Sequence, residues 1–212
     1  MVIYPVLHMK DVFISCKTIN IKDQTEKEFN EKDCLFGYRT SRFKSIDKNI
    51  YIITSIKIRL TKEKHKYNIT YGSLKEVIGN REVNLESISK AVIKIRKSKL
   101  PDTNIIGNCG SFFKNPIITG AAREKLLKKH SQFSIQEQED GEHFKVSAAQ
   151  LIDAAGLKGL SVGGAAVWKR QPLVLINTGG ASASEFLSLA KLISRKVQKV
   201  YGIPLELEPI VL

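Results

Sequence analysis

The sequence predicts an α+β fold, strand-rich up to about residue 100 and helix–strand–helix beyond it. Three observations carry that prediction. Ile50 to Leu60 ends in alternation, with Ile56, Ile58 and Leu60 on one face and Lys57 and Arg59 on the other, the period of a strand. Phe186, Leu189, Ile193 and Val197 recur at helical spacing behind Ser182-Ala183-Ser184-Glu185, a capping-box pattern. Pro172 to Asn177 is a short apolar run of the kind a buried strand shows.

Taken in order, Asp11 to Cys16 opens as a short apolar strand, and Gly37-Tyr38-Arg39 marks a turn before the strand at Ile50. Leu85, Ile88, Val92 and Ile95 form a helical stripe with Asn84 placed as its N-cap. That helix runs out at Ser98-Lys99-Leu100-Pro101, and the proline marks a domain boundary. A second helix covers Ala121 to Lys129, and the polar stretch Gln136 to Glu142 reads as a loop. Ser147-Ala148-Ala149-Gln150 has capping-box spacing before a helix that Gly156 stops, and Gly202 with Pro204 ends the last helix.

At 212 residues and 42% hydrophobic, the chain can bury a core for one or two domains. No apolar run approaches the ~20 residues that span a bilayer. The apolar start, Met1 to His8, lacks the basic region and cleavage site of a signal peptide. Three scattered cysteines, Cys16, Cys34 and Cys109, argue for free thiols in a reducing compartment. With four histidines at no ligand spacing, they give metal chemistry no support. The net charge of +13 comes from single Lys and Arg residues without interleaved aromatics, which favours an anionic small ligand over nucleic acid.

Candidate chemistry concentrates in Gly107 to Ile117, where the hydroxyl of Ser111 lies between a glycine and Phe112-Phe113, with Lys114 and Asn115 close by. Such a serine can donate a proton to a carbanion as readily as it can act as a nucleophile. Nothing local has the strand-to-helix elbow of a serine hydrolase. The alternative is a tight turn entering a strand, with both phenylalanines as ordinary core. Arg39 on its turn suits a bidentate clamp on a carboxylate or phosphate, or else a surface ion pair. Lys99 at a helix end offers a point charge for a phosphate, or simply complements the helix dipole.

Six stretches occur in an order that resembles one family. They are Gly37-Tyr38-Arg39, Thr70-Tyr71-Gly72, Lys99-Leu100-Pro101-Asp102, Gly110-Ser111-Phe112-Phe113-Lys114-Asn115-Pro116, Gly163-Gly164-Ala165-Ala166-Val167 and Leu207-Glu208-Pro209. Together they are similar to the UDP-N-acetylenolpyruvoylglucosamine reductases (UDP-N-acetylmuramate dehydrogenases) of cytoplasmic peptidoglycan synthesis. The resemblance runs from about Met9 to Pro209. It implies part of a two-lobed, vanillyl-alcohol-oxidase-like FAD-binding unit over residues 1–100. An α+β substrate-binding domain follows over 101–200, and a C-terminal return segment over 201–212. The implied reaction uses FAD and NADPH to reduce UDP-N-acetylenolpyruvoylglucosamine. Ser111 would protonate the carbanionic carbon, and Arg39 would bind the enolpyruvyl carboxylate. Tyr71 and Lys99 would hold the UDP diphosphate, with Asn115 and Gln171 lining the same pocket.

The ends depart from the family's pattern. The glycine-rich FAD segment that precedes the family's counterpart of Met9 has no match in Met1 to His8. Where the family reads Leu-Glu-Pro-Glu-Val, with a catalytic second glutamate, this chain has Ile210. The expectation is an N-terminally truncated member that binds FAD weakly and turns over negligibly. A separate polypeptide could supply the FAD lobe. Alternatively, the chain is a non-catalytic UDP-sugar-binding fragment.

Overall fold

In a computed structural model, which describes residues 9–70 and 72–211, the chain divides into two compact units. One runs up to Val92 and the other starts at Ile93. The apolar N-terminal octet and Tyr71 lie outside the described residues.

The first unit contains helix α1 (Met9–Val12), strands β1 (Phe13–Asn20), β2 (Glu26–Asn30) and β3 (Tyr51–Ile58), helix α2 (Leu74–Ile78) and the first half of helix α3 (Leu85–Lys99). Its sheet is antiparallel in the order β2-β1-β3. Phe13, Cys16, Phe29 and Cys34 form a small core against Phe36, Phe43 and Tyr51. The rings meet edge to face, Phe13 on Phe36 at 5.0 Å and Phe29 on Tyr51 at 5.1 Å, the arrangement that ring quadrupoles favour. Ile56 and Ile58 keep the predicted alternation around Lys57, and the β1–β3 pairing shifts register twice, near Thr54 and at Ile14. Ile53, Ile56 and Ile58 therefore all lie opposite residues that are buried on β1: Thr18, Cys16 and Phe13. They remain 46%, 53% and 40% exposed, because the core does not extend over this edge strand.

Helix α3 starts as predicted, with the Asn84 side chain accepting the Ser87 N–H at 2.9 Å. Its buried row is different from the predicted stripe. Ser87, Ala91 and Ile95 are buried at i, i+4 and i+8, whereas Leu85 is 57% exposed.

The second unit carries β4 (Asn108–Ser111), β5 (Ile117–Thr119), α4 (Gly120–Lys129), β6 (Ile135–Glu137), β7 (His143–Val146) and α5 (Ala148–Ala154). Then follow β8 (Ser161–Val162), β9 (Ala165–Val167), β10 (Val174–Asn177) and α6 (Ala183–Tyr201). Two antiparallel sheets result, β4-β10-β9-β8 and β5-β7-β6. The predicted loop from Gln136 is instead partly strand, since Gln136 and Glu137 pair with Lys145 and Phe144. A polar edge strand leaves no apolar signal to read.

Helix α6 follows its sequence closely. Ser182 and Glu185 exchange both capping-box hydrogen bonds, and Gly202 closes the helix in the left-handed region at φ 73°. Phe186, Leu189, Ile193 and Val197 join Phe112, Phe113, Leu151, Ile152, Val167 and Leu175 in one core. At α5 the Ser147 hydroxyl accepts the Gln150 N–H, but the Gln150 carboxamide turns away to accept the Ser134 N–H, so the box is half formed.

Candidate functional site

Ser111 ends β4 opposite Val174 of β10. The residues after it are held from both sides. Phe112 N–H donates to the Leu173 carbonyl at 2.8 Å, and the Phe112 carbonyl accepts from Glu208 N–H at 3.1 Å. Phe113 bridges Leu207, and Lys114 N–H donates to the Glu206 carbonyl at 2.9 Å. The Lys114 ammonium also pairs with the Glu206 carboxylate. The turn before the serine is built locally: Gly110 takes φ +65°, and its N–H is held by the Asn108 side chain at 3.0 Å.

Phe112 and Phe113 are 4% and 1% exposed and belong to the core. The reading of both phenylalanines as core therefore holds. They flank a serine whose Oγ is buried without a hydrogen-bond partner among the described residues. A buried, unsatisfied hydroxyl costs about 1–3 kcal/mol and needs a reason.

Asn115 follows directly, and its side-chain oxygen accepts the Ala148 N–H at 3.0 Å. It thus ties the serine segment to the first turn of α5. Lys99 is half-buried at the end of α3, and its carbonyl accepts the indole N–H of Trp168 at 2.9 Å. Gln171 sits on the turn between β9 and β10, where its carbonyl accepts Val174 N–H at 2.9 Å. Ser111, Asn115, Lys99 and Gln171 all belong to the unit that starts at Ile93.

Arg39 belongs to the other unit. Gly37 and Thr40 exchange both backbone hydrogen bonds, at 3.1 and 3.3 Å, so Arg39 is the third residue of a tight turn. Its φ is +55°, a region where a side chain with Cβ is strained by roughly 1–2 kcal/mol. Glycine is the usual residue at such a position. Strain of this kind clusters at functional sites.

Sequence reasoning missed two arrangements. Trp168 links residues 69 positions apart, and no local pattern announces that. Cys16 and Cys34 lie far apart in sequence but are both buried as free thiols in one small core. Burial, then the neighbouring Cys16, pushes the Cys34 thiol up to about 12.

The fold has a counterpart among solved structures. The UDP-N-acetylenolpyruvylglucosamine reductase of Thermus caldophilus superposes with a TM-score of 0.56 over 96% of this chain and 54% of that one. At 23% identity this likeness is one of fold, and it places the chain among mixed helix-and-sheet proteins of that architecture. Residues 101–212 match the sequence model of the UDP-N-acetylenolpyruvoylglucosamine reductase C-terminal domain, and the chain belongs to that family. The UDP-N-acetylenolpyruvoylglucosamine reductase of Flavobacterium johnsoniae is 45% identical over 94% of this chain and 60% of its own length. That of Neisseria meningitidis is 40% identical over 94% and 58%. The chain thus spans about 60% of the length of the curated relatives it matches.

FAD is the cofactor the resemblance implies. Phosphate cradles rely on glycine-rich backbone presenting successive N–H groups. Among the described residues of the first unit the glycines are isolated: Gly37 in its two-bonded turn, Gly72, and Gly79 capping α2. These residues do not by themselves fit a flavin pyrophosphate.

Proposed function

We propose that this chain serves the FAD-dependent, NADPH-linked reduction of UDP-N-acetylenolpyruvoylglucosamine to UDP-N-acetylmuramate, in cytoplasmic peptidoglycan synthesis. The observation that carries this reading is the Ser111 hydroxyl, buried without a partner among the described residues on a segment held from both sides. It is a proton donor kept in reserve. In this reading Ser111 delivers the proton taken up by one carbon of the enolpyruvyl double bond. Arg39 binds the substrate carboxylate and stabilises the enolate-like charge with a guanidinium that is fixed beforehand. Tyr71 and Lys99 hold the diphosphate, and Asn115 and Gln171 line the pocket. Phe112 and Phe113, buried on the serine's own segment, exclude water that would compete for the charge.

FAD and NADPH are the cofactors this reading requires. The described residues offer the flavin no cradle of their own. Position 210, where the family carries a catalytic glutamate, holds an isoleucine that is 71% exposed and has no proton to exchange. The described residues by themselves are therefore expected to bind FAD weakly and to turn over negligibly. Purified protein that is yellow with stoichiometric FAD, and that oxidises NADPH when substrate is added, would overturn this.

A second reading has its own support. The unit from Ile93 contains a continuous core and four of the six proposed site residues. A UDP-sugar-binding module is what such a unit can be alone. Binding of the UDP-sugar that is unchanged by FAD favours the module, whereas binding that requires FAD favours the enzyme.

A further inference from the structure

We propose that Trp168 is a positioning residue that fixes the diphosphate-binding Lys99 against the β9–β10 turn that carries Gln171. The proposal rests on the reading of Lys99 as a phosphate ligand. A lysine reaches its ligand through a flexible four-carbon stem, so its useful placement depends on where its backbone is held. Lys99 closes α3, and the last carbonyls of a helix have no partner within it. The Trp168 indole N–H supplies one, donating to the Lys99 carbonyl at 2.9 Å. An indole N–H is a donor only, and when shielded from water it takes an acceptor.

The same residue opens the turn that carries Gln171. Trp168 N–H donates to the Val174 carbonyl, and Val174 N–H donates to the Gln171 carbonyl, both at 2.9 Å. The ring packs with Leu100 and Ile106 against Ala166, Val174 and Ile176, so the helix end and the β9–β10 turn share one apolar cluster. Arg170 lies 6.0 Å from the ring centroid, at the outer range of a cation–π contact, and adds positive charge on the same turn. One residue thereby joins the backbone at Lys99 to the turn that carries Gln171, from distant parts of the chain.

The test compares UDP with uridine on the purified full chain by titration calorimetry, for wild type, Trp168→Phe, Lys99→Met and the double variant. Phenylalanine keeps a packed ring and loses the N–H. Trp168→Phe is expected to weaken UDP about tenfold, on the order of 1.4 kcal/mol, and to leave uridine unchanged. The double variant should bind UDP no more weakly than Lys99→Met alone. Equal losses for UDP and uridine would mean a merely structural role and would overturn the proposal. So would unchanged UDP affinity in Trp168→Phe beside a loss in Lys99→Met. Unchanged affinity in Lys99→Met, or no UDP binding by the wild type, would instead strike the reading of Lys99 itself. A second measurement needs no variant: Trp168 is the sole tryptophan, so its indole N–H gives a single NMR resonance. That resonance should be protected from exchange and should move on adding UDP but not uridine. An unprotected resonance that ignores UDP contradicts the proposal.

Discussion

At the scale of single residues, the account turns on groups placed at some energetic cost. Ser111 keeps a hydroxyl buried without a partner among the described residues, and Arg39 occupies a backbone region that glycine normally takes. The second cost is measurable. Arg39→Gly and Arg39→Ala both remove the guanidinium, but only glycine relieves φ +55°. Arg39→Gly should therefore be more stable than Arg39→Ala by about 1 kcal/mol in urea unfolding, and both should lose substrate binding. The buried thiols give a pH prediction. Cys34 stays protonated in the folded chain to about 12, against an ordinary value of 9.0. The folded state thus holds its proton longer than the unfolded chain does. The stability linked to Cys34 is fully present below pH 9 and is lost as pH rises from 9 towards 12. Denaturation midpoints should fall across that window, and should fall less in Cys34→Ala.

Among the elements, helices with their own caps were the most legible. The Ser182–Glu185 box, the buried row from Phe186 to Val197 and the Gly202 stop were all readable because each is a short-range pattern. The face of α3 was legible in part. Ile95 of the predicted stripe is buried, but small Ser87 and Ala91 are buried as well, and Leu85 at the start of the stripe is exposed. The glycine pair before β9 is structural in a way the motif alone does not reveal. A Cβ on Gly164 would lie 2.5 Å from the Gly179 carbonyl and 2.9 Å from the Ala181 nitrogen, both backbone atoms just before α6. Gly164→Ala is expected to destabilise the chain by about 1–3 kcal/mol, read as a lower urea midpoint. A Cβ on Gly163 would instead displace the Glu185 carboxylate from its capping box, and φ +55° adds strain of its own.

Across the whole molecule, the sequence order of motifs identified a family, and the ordered elements around Ser111 explain why that motif is so distinctive. Two buried phenylalanines, strand pairing to Val174 and bonds to residues 206–208 all act on a few consecutive residues. What stayed hidden were long-range contacts between unlike segments: Trp168 to Lys99, Cys16 to Cys34, and the chain return onto Phe112. Such contacts are set by tertiary packing and leave no local period to read. The central claim is the proposal that this chain binds the UDP-sugar substrate with Lys99 on its diphosphate. Calorimetric titration of the purified chain with UDP-N-acetylenolpyruvoylglucosamine, with FAD absent and then present, tests it most directly. The account predicts saturable binding at one site that is weakened by Lys99→Met. An absence of binding to a folded chain, or binding that Lys99→Met leaves unchanged, would contradict it.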